Sequence, residues 1–143
     1  MTTSLSTLKP AVAASMAAWH AMIASRNLDG LAAIVHPDAV FRSPLANAPY
    51  RSAAAVALAL GTVIQVFENF TYQRELASED GLNVVLEFSA NVGDRQLKGI
   101  DLVRFDSDGK IVEFEVMVRP LSGLQALGLE MGKRLGERMN AFK

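Results

Sequence analysis

The sequence predicts a single α+β domain in which one curved, mainly antiparallel sheet and its helices enclose an apolar pocket. Three observations carry that expectation. Apolar residues recur at helical spacing as far as Phe67 and at alternating spacing from Phe70 to Arg119. Turn-forming clusters separate the alternating segments at distances that suit hairpins. One acid, Asp101, falls on the apolar side of its strand.

Pro10 opens the first helix, at a position where a missing N–H costs little. Val12, Met16, Trp19 and Ile23 then form one apolar stripe. A short second helix is predicted over Leu28 to Val35 and is stopped at His36-Pro37, because the residue before proline avoids helical dihedrals. Ala39 to Ser43 reads as a short strand ending at Pro44, and Leu45 to Ser52 reads as a loop. Ser52 is placed to cap a third helix, Ala53 to Phe67. Four strands follow, Phe70 to Ala77, Asn83 to Val92, Gln96 to Phe105 and Ile111 to Arg119. Their connections, Ser78-Glu79-Asp80-Gly81, Gly93-Asp94 and Asp106-Ser107-Asp108-Gly109, have hairpin-turn compositions. Such a meander has one face that the helices ahead of it must cover. Beyond Pro120 a last helix aligns Leu124, Leu127, Met131, Leu135 and Met139. Gly128, Gly132 and Gly136 fall four apart on another of its faces. Each glycine costs about 1 kcal/mol relative to alanine inside a helix. Three in register read either as a close approach by another backbone or as a loosely held tail.

Alternation separates the two faces of the sheet. Val84, Leu86 and Phe88 share the inward face with Val103, Phe105, Phe114, Val116 and Val118, since that face alone escapes water. Asp101 shares it too. A buried carboxyl without a cationic partner is pushed toward its neutral form, and a neutral acid in an apolar cavity is a good hydrogen-bond donor. The expected pocket therefore has Asp101 as its candidate acid, lined by Trp19, Phe41, Ser43 and Leu60 with those inward residues other than Phe105. The plainer reading binds Asp101 to backbone N–H groups or to a helix residue such as His20. Outward, Glu87, Arg104, Glu113, Glu115 and Arg119 alternate with Val85, Leu102 and Met117. Glu–Arg pairing across strands is expected there, and the apolar members make this outer face the expected surface of a homodimer.

Composition excludes several functions. The chain has 143 residues, 50% hydrophobic and 20% charged, a globular balance within the size of one domain. Its net charge of −1 offers no field to hold nucleic acid or anionic lipid. Cysteine is absent, which removes thiolate chemistry and disulfides and fits a reducing compartment. Met1 to Lys9 does not read as an export signal, so a cytoplasmic protein is expected. The longest apolar run, Ala53 to Leu60, is far short of the roughly 20 residues of a membrane span. Two histidines sixteen positions apart, His20 and His36, without acids at ligand spacing, predict no metal site. No phosphate loop or dinucleotide fingerprint is present, so no cofactor is implied.

The order of elements, with His36-Pro37-Asp38-Ala39-Val40-Phe41 after the short helix, Gly99-Ile100-Asp101-Leu102-Val103-Arg104-Phe105-Asp106 and Gly109-Lys110-Ile111-Val112-Glu113-Phe114 in the meander, resembles the nuclear transport factor 2-like superfamily. Within it the chain is similar to the SnoaL-like and ketosteroid-isomerase-like branch over about residues 10 to 120. The resemblance implies a conical, cystatin-like fold, with the sheet wrapped around a long N-terminal helix, a deep ligand cavity and a homodimer. Steroid isomerases of the branch use an aspartate base, with a tyrosine and a protonated aspartic acid that bind the oxyanion. Asp101 matches the oxyanion acid, whereas Ser43 falls where the base would be and Trp19 where the tyrosine would be. A serine hydroxyl cannot abstract a carbon-bound proton, so no steroid isomerase activity is expected. The family's epoxide hydrolases need an Asp–Arg–Asp set inside the cavity, and Arg104 and Arg119 point outward by parity.

The reading that follows is a domain that binds a small hydrophobic, polycyclic or polyketide- or steroid-like molecule. The alternatives are a cyclase- or isomerase-type enzyme using Asp101 as its acid, and a dimeric protein-interaction module.

Overall fold

The computed structural model describes residues 7–143. Its elements are α1 (Pro10–Ser25), β1 (Val35–Arg42), β2 (Tyr50–Arg51), α2 (Ala53–Val66), β3 (Glu68–Ala77), β4 (Asn83–Val92), β5 (Arg95–Phe105), β6 (Ile111–Arg119) and α3 (Leu121–Leu135). The strands form one six-stranded sheet in the order β2-β1-β6-β5-β4-β3. The meander β3 to β6 is antiparallel throughout. The sheet is mixed, because β1 returns along β6 in the parallel sense. This is the α+β, cystatin-like architecture that the resemblance implied, a curved and unclosed sheet with three helices.

Several local expectations are corrected. The short second helix shrinks to a 3-10 turn at Leu31–Ile34, and β1 starts at Val35 rather than Ala39. The same rule explains both. The pre-proline position His36 is held extended, so the chain enters the strand before the proline instead of after it. The parallel register slips between Val35 and Val40, a break that accommodates Pro37, which has no N–H to give to the ladder. Tyr50–Arg51, expected as loop, pairs with Val40 and Phe41 as a small sixth strand. Ser52 starts α2 through its backbone carbonyl, which accepts from Ala55 and Val56, and its side chain makes no cap.

Among the described residues no other backbone of this chain passes close to Gly128, Gly132 or Gly136. Gly136 ends the helix with a φ of 54°, so Met139 lies beyond it in a 3-10 turn and is still buried. Gly132 has open space around it, and Gly128 faces the Leu45 side chain at 3.1 Å from where a Cβ would stand. The close backbone approach occurs instead at Gly123, over Leu97 and Gln96 of β5.

α1 crosses the inward face of the sheet and buries Val12, Met16 and Trp19 there. The β5–β6 turn holds its start: Ser15 donates to the Gly109 carbonyl. Gly109 has a φ of +80°, and a Cβ there would sit 2.4 Å from the Ala11 carbonyl oxygen. Only glycine fits both the turn and the helix lying on it. On the outer face Glu87 binds Arg74 at 2.6 Å and Lys98 at 3.2 Å, and Glu113 binds Arg42 at 3.0 Å and Arg104 at 3.7 Å. No helix among the described residues is long and apolar enough to cross a membrane.

Candidate functional site

Asp101 sits at the middle of β5, between Leu86 of β4 and Val116 of β6. Its side chain points inward with Val103 and Phe105, and only 6% of the residue reaches solvent. Its partner is neither a backbone N–H nor His20. The Tyr72 hydroxyl donates to Asp101 Oδ2 at 3.2 Å and accepts from Trp19 Nε1 at 2.9 Å. Three side chains from α1, β3 and β5 thus form one chain of hydrogen bonds.

Tyr72 reaches the site because β3 is irregular. Tyr72 is opposite Phe88 and Glu75 is opposite Leu86, so one extra residue of β3 is accommodated between them. Gln73 and Arg74 both bond residues of the outer face, Ser89 and Glu87. Glu75 is thereby returned to the inward face, in one row with Leu86, Asp101 and Val116. There it is 5% exposed and pairs with His20 Nε2 at 2.5 Å. His20 also meets the Tyr72 ring edge-on, with centroids 5.3 Å apart. Sequence reading missed Tyr72 and Glu75. A bulge inverts side-chain parity within a strand and leaves no mark in hydropathy.

Burial raises the Asp101 carboxyl to about 7, although the Tyr72 hydrogen bond pulls it back toward its ordinary range. Burial and the neighbouring Asp101 charge push the Tyr72 phenol well above 10. The phenol proton is committed to Asp101, and the phenol oxygen accepts from Trp19. When Asp101 is protonated, its own acid proton is the donor free to turn toward a ligand.

These groups form the polar end of an otherwise apolar cavity of about 60 Å³. Trp19, Phe41, Ser43, Leu60, Asp101 and Val116 line it, as the sequence reading had them. Val84, Leu86, Phe88, Val103 and Phe114 are instead packed in the core, and Val118 lies against that core; none of the six lines the cavity. Alternation identifies the inward face but not which part of it is left uncovered by helices. The remaining wall includes Pro44 and Leu45, after β1, and Leu127 and Met131 of α3. The Ser43 hydroxyl oxygen accepts from the Leu45 N–H and so braces that turn. Asp101 is the one carboxyl in the lining. No group of three potential metal ligands occurs among the described residues.

A family model, the SnoaL-like domain, matches residues 16–114. The chain belongs to the SnoaL-like family. Its crystal-structure neighbours include a protein described as a steroid delta-isomerase from Pseudomonas aeruginosa, 61% identical, with 93% of this chain and 97% of that chain covered and a TM-score of 0.89. An uncharacterised protein with a cystatin-like fold from Silicibacter pomeroyi DSS-3 is 29% identical over 94% of this chain and 92% of that one, with a TM-score of 0.81. A protein described as a SnoaL-like polyketide cyclase, from Jannaschia sp. CCS1, shares the fold at 10% identity, covering 84% and 93% of the two chains, with a TM-score of 0.65. No curated protein matches. In this SnoaL-like domain the Trp19–Tyr72–Asp101 chain is built from the helix and strands that the family model spans.

Proposed function

We propose that this SnoaL-like domain binds a small hydrophobic molecule carrying a carbonyl or hydroxyl oxygen, and holds that oxygen at Asp101. One observation carries the reading: the cavity is apolar except at one end, where Trp19, Tyr72 and Asp101 are hydrogen-bonded in series. A purely hydrocarbon ligand gains nothing from a buried acid, whereas an oxygen acceptor facing a neutral carboxyl does. Proton abstraction from carbon needs a base beside the acid, and the lining supplies no second carboxylate, so the role proposed is binding rather than turnover. Trp19, the single tryptophan, is a built-in reporter. Cyclohexenone should quench its fluorescence saturably, and Asp101→Ala should weaken that binding about tenfold. Absence of saturable quenching would sink the reading.

An isomerase reading is favoured by the 61% identity to the protein described as a steroid delta-isomerase. The assay that separates the two is conversion of a 3-oxo-Δ5-steroid to its conjugated isomer. No conversion is expected; turnover that disappears in Asp101→Ala would establish the enzyme reading instead.

The homodimer is part of the same proposal. Met117 stands 44% exposed among the charge pairs of the outer sheet face, and a second copy would cover it. Sedimentation should give twice the chain mass, and Met117→Glu should halve it; a wild-type monomer would end this part.

A further inference from the structure

Behind the polar end of the cavity lies a second hollow of about 470 Å³, open to solvent, with His20, Arg26 and Asn69 on its walls. Ile23, Ile64, Phe70 and Tyr72 line both spaces, so the partition between them is one side chain thick. The inner cavity alone is far smaller than the roughly 300–1,000 Å³ of usual ligand sites.

Phe70 is the part of this wall least tied down by backbone. The β3–β4 register shifts between Glu68 and Thr71, and Asn69 carries a φ of 54°, an uncommon left-handed conformation for a residue with a Cβ. Such bulges gather beside functional sites. The Phe70 ring is held by other rings: stacked on Phe88 at 5.1 Å and on Phe67 at 5.6 Å, and edge-on to Tyr72 at 4.8 Å. Ring contacts of this kind are exchanged readily for contacts with a flat ligand.

The hollow carries a cation. Arg26 is fixed there by bonds to the carbonyls of Phe67 at 3.1 Å and Ile64 at 2.6 Å at the end of α2, and no carboxylate among the described residues forms an ion pair with it. His20, the other basic side chain on these walls, lies against the Glu75 carboxylate.

Granted the binding role proposed above, we propose that Phe70 is a displaceable partition, and that cavity and hollow join into one site. Its ligand is an elongated hydrophobic carboxylate whose ketone or hydroxyl oxygen reaches Asp101 and whose carboxylate lies at Arg26. Length and charge, rather than the inner cavity, then set specificity.

The test compares cyclohexenone, the small probe proposed for the inner cavity, with a 3-oxo-androstene-17-carboxylate and its methyl ester, each titrated by Trp19 fluorescence. In Phe70→Ala the steroid carboxylate should bind about tenfold more tightly, because no ring has to be displaced. In wild type the carboxylate should bind about fivefold better than its ester, and the difference should close in high salt. Phe70→Leu replaces Phe70→Ala if the latter does not fold. Cyclohexenone binding combined with a steroid affinity indifferent to Phe70 overturns the partition and leaves the binding role standing. Equal binding of acid and ester overturns the assignment of Arg26. Failure of cyclohexenone itself removes the binding role, and this inference with it.

Discussion

Asp101→Asn should stabilise the domain at pH 8 by about 4 kcal/mol and should change it little near pH 4. The folded carboxyl is raised by burial to about 7 from an ordinary value of 3.8. Across that window the unfolded chain releases its proton while the folded chain keeps it. Stability therefore falls as pH rises through the window, and levels off above it. Asparagine has the same shape, accepts the Tyr72 hydrogen bond through its carbonyl and never ionises, so it escapes the loss. For a chain of this size the gain corresponds to a melting temperature about 15 °C higher at pH 8. Thermal unfolding of both proteins at pH 4, 6 and 8 measures it directly. A shift of equal size at all three values would show that Asp101 is not held neutral. The instability above pH 7 is the cost of keeping a proton donor inside an apolar cavity.

Gly99→Ala should be the most damaging small substitution in the sheet, costing about 3 kcal/mol. A Cβ at this position would stand 2.4 Å from the Met117 carbonyl oxygen and 2.7 Å from the Phe88 ring. The carbonyl belongs to the neighbouring strand and cannot retreat without distorting the ladder, while the Phe88 ring is 1% exposed and has no room to yield. The displaced ring would press on Phe70 and Phe67, so the cavity wall should deform along with the core. Gly132→Ala is the contrasting case. Nothing lies within 4 Å of that position, which is inside α3, and alanine there should stabilise by about 1 kcal/mol. Denaturant unfolding of the two variants should give opposite signs; the same sign for both would refute the steric account of Gly99.

Much of the architecture was legible because it is written in periodicity. The long helices, the meander and its inward face follow from spacing alone, and Asp101 stands out since it interrupts an apolar set. What failed was local. His36-Pro37 reads as the end of a helix, although the extended backbone that proline imposes also suits a strand, and β1 runs straight through it. The cavity lining was legible only where α1, β1, α2 and the centre of the sheet converge, at Trp19, Phe41, Ser43, Leu60, Asp101 and Val116. Val84, Leu86, Phe88, Val103, Phe114 and Val118 have the right parity and the wrong depth.

The sequence by itself determined that this SnoaL-like domain buries an acid, because side-chain alternation along β5 admits no other placement for Asp101. Which groups meet that acid was decided by tertiary structure. A single extra residue in β3 brings Tyr72 and Glu75 onto one face, gives Asp101 its hydrogen bond and gives His20 a different partner. Hydropathy is a property of a segment, whereas a register shift is a property of two strands together, and it exists only once they pair.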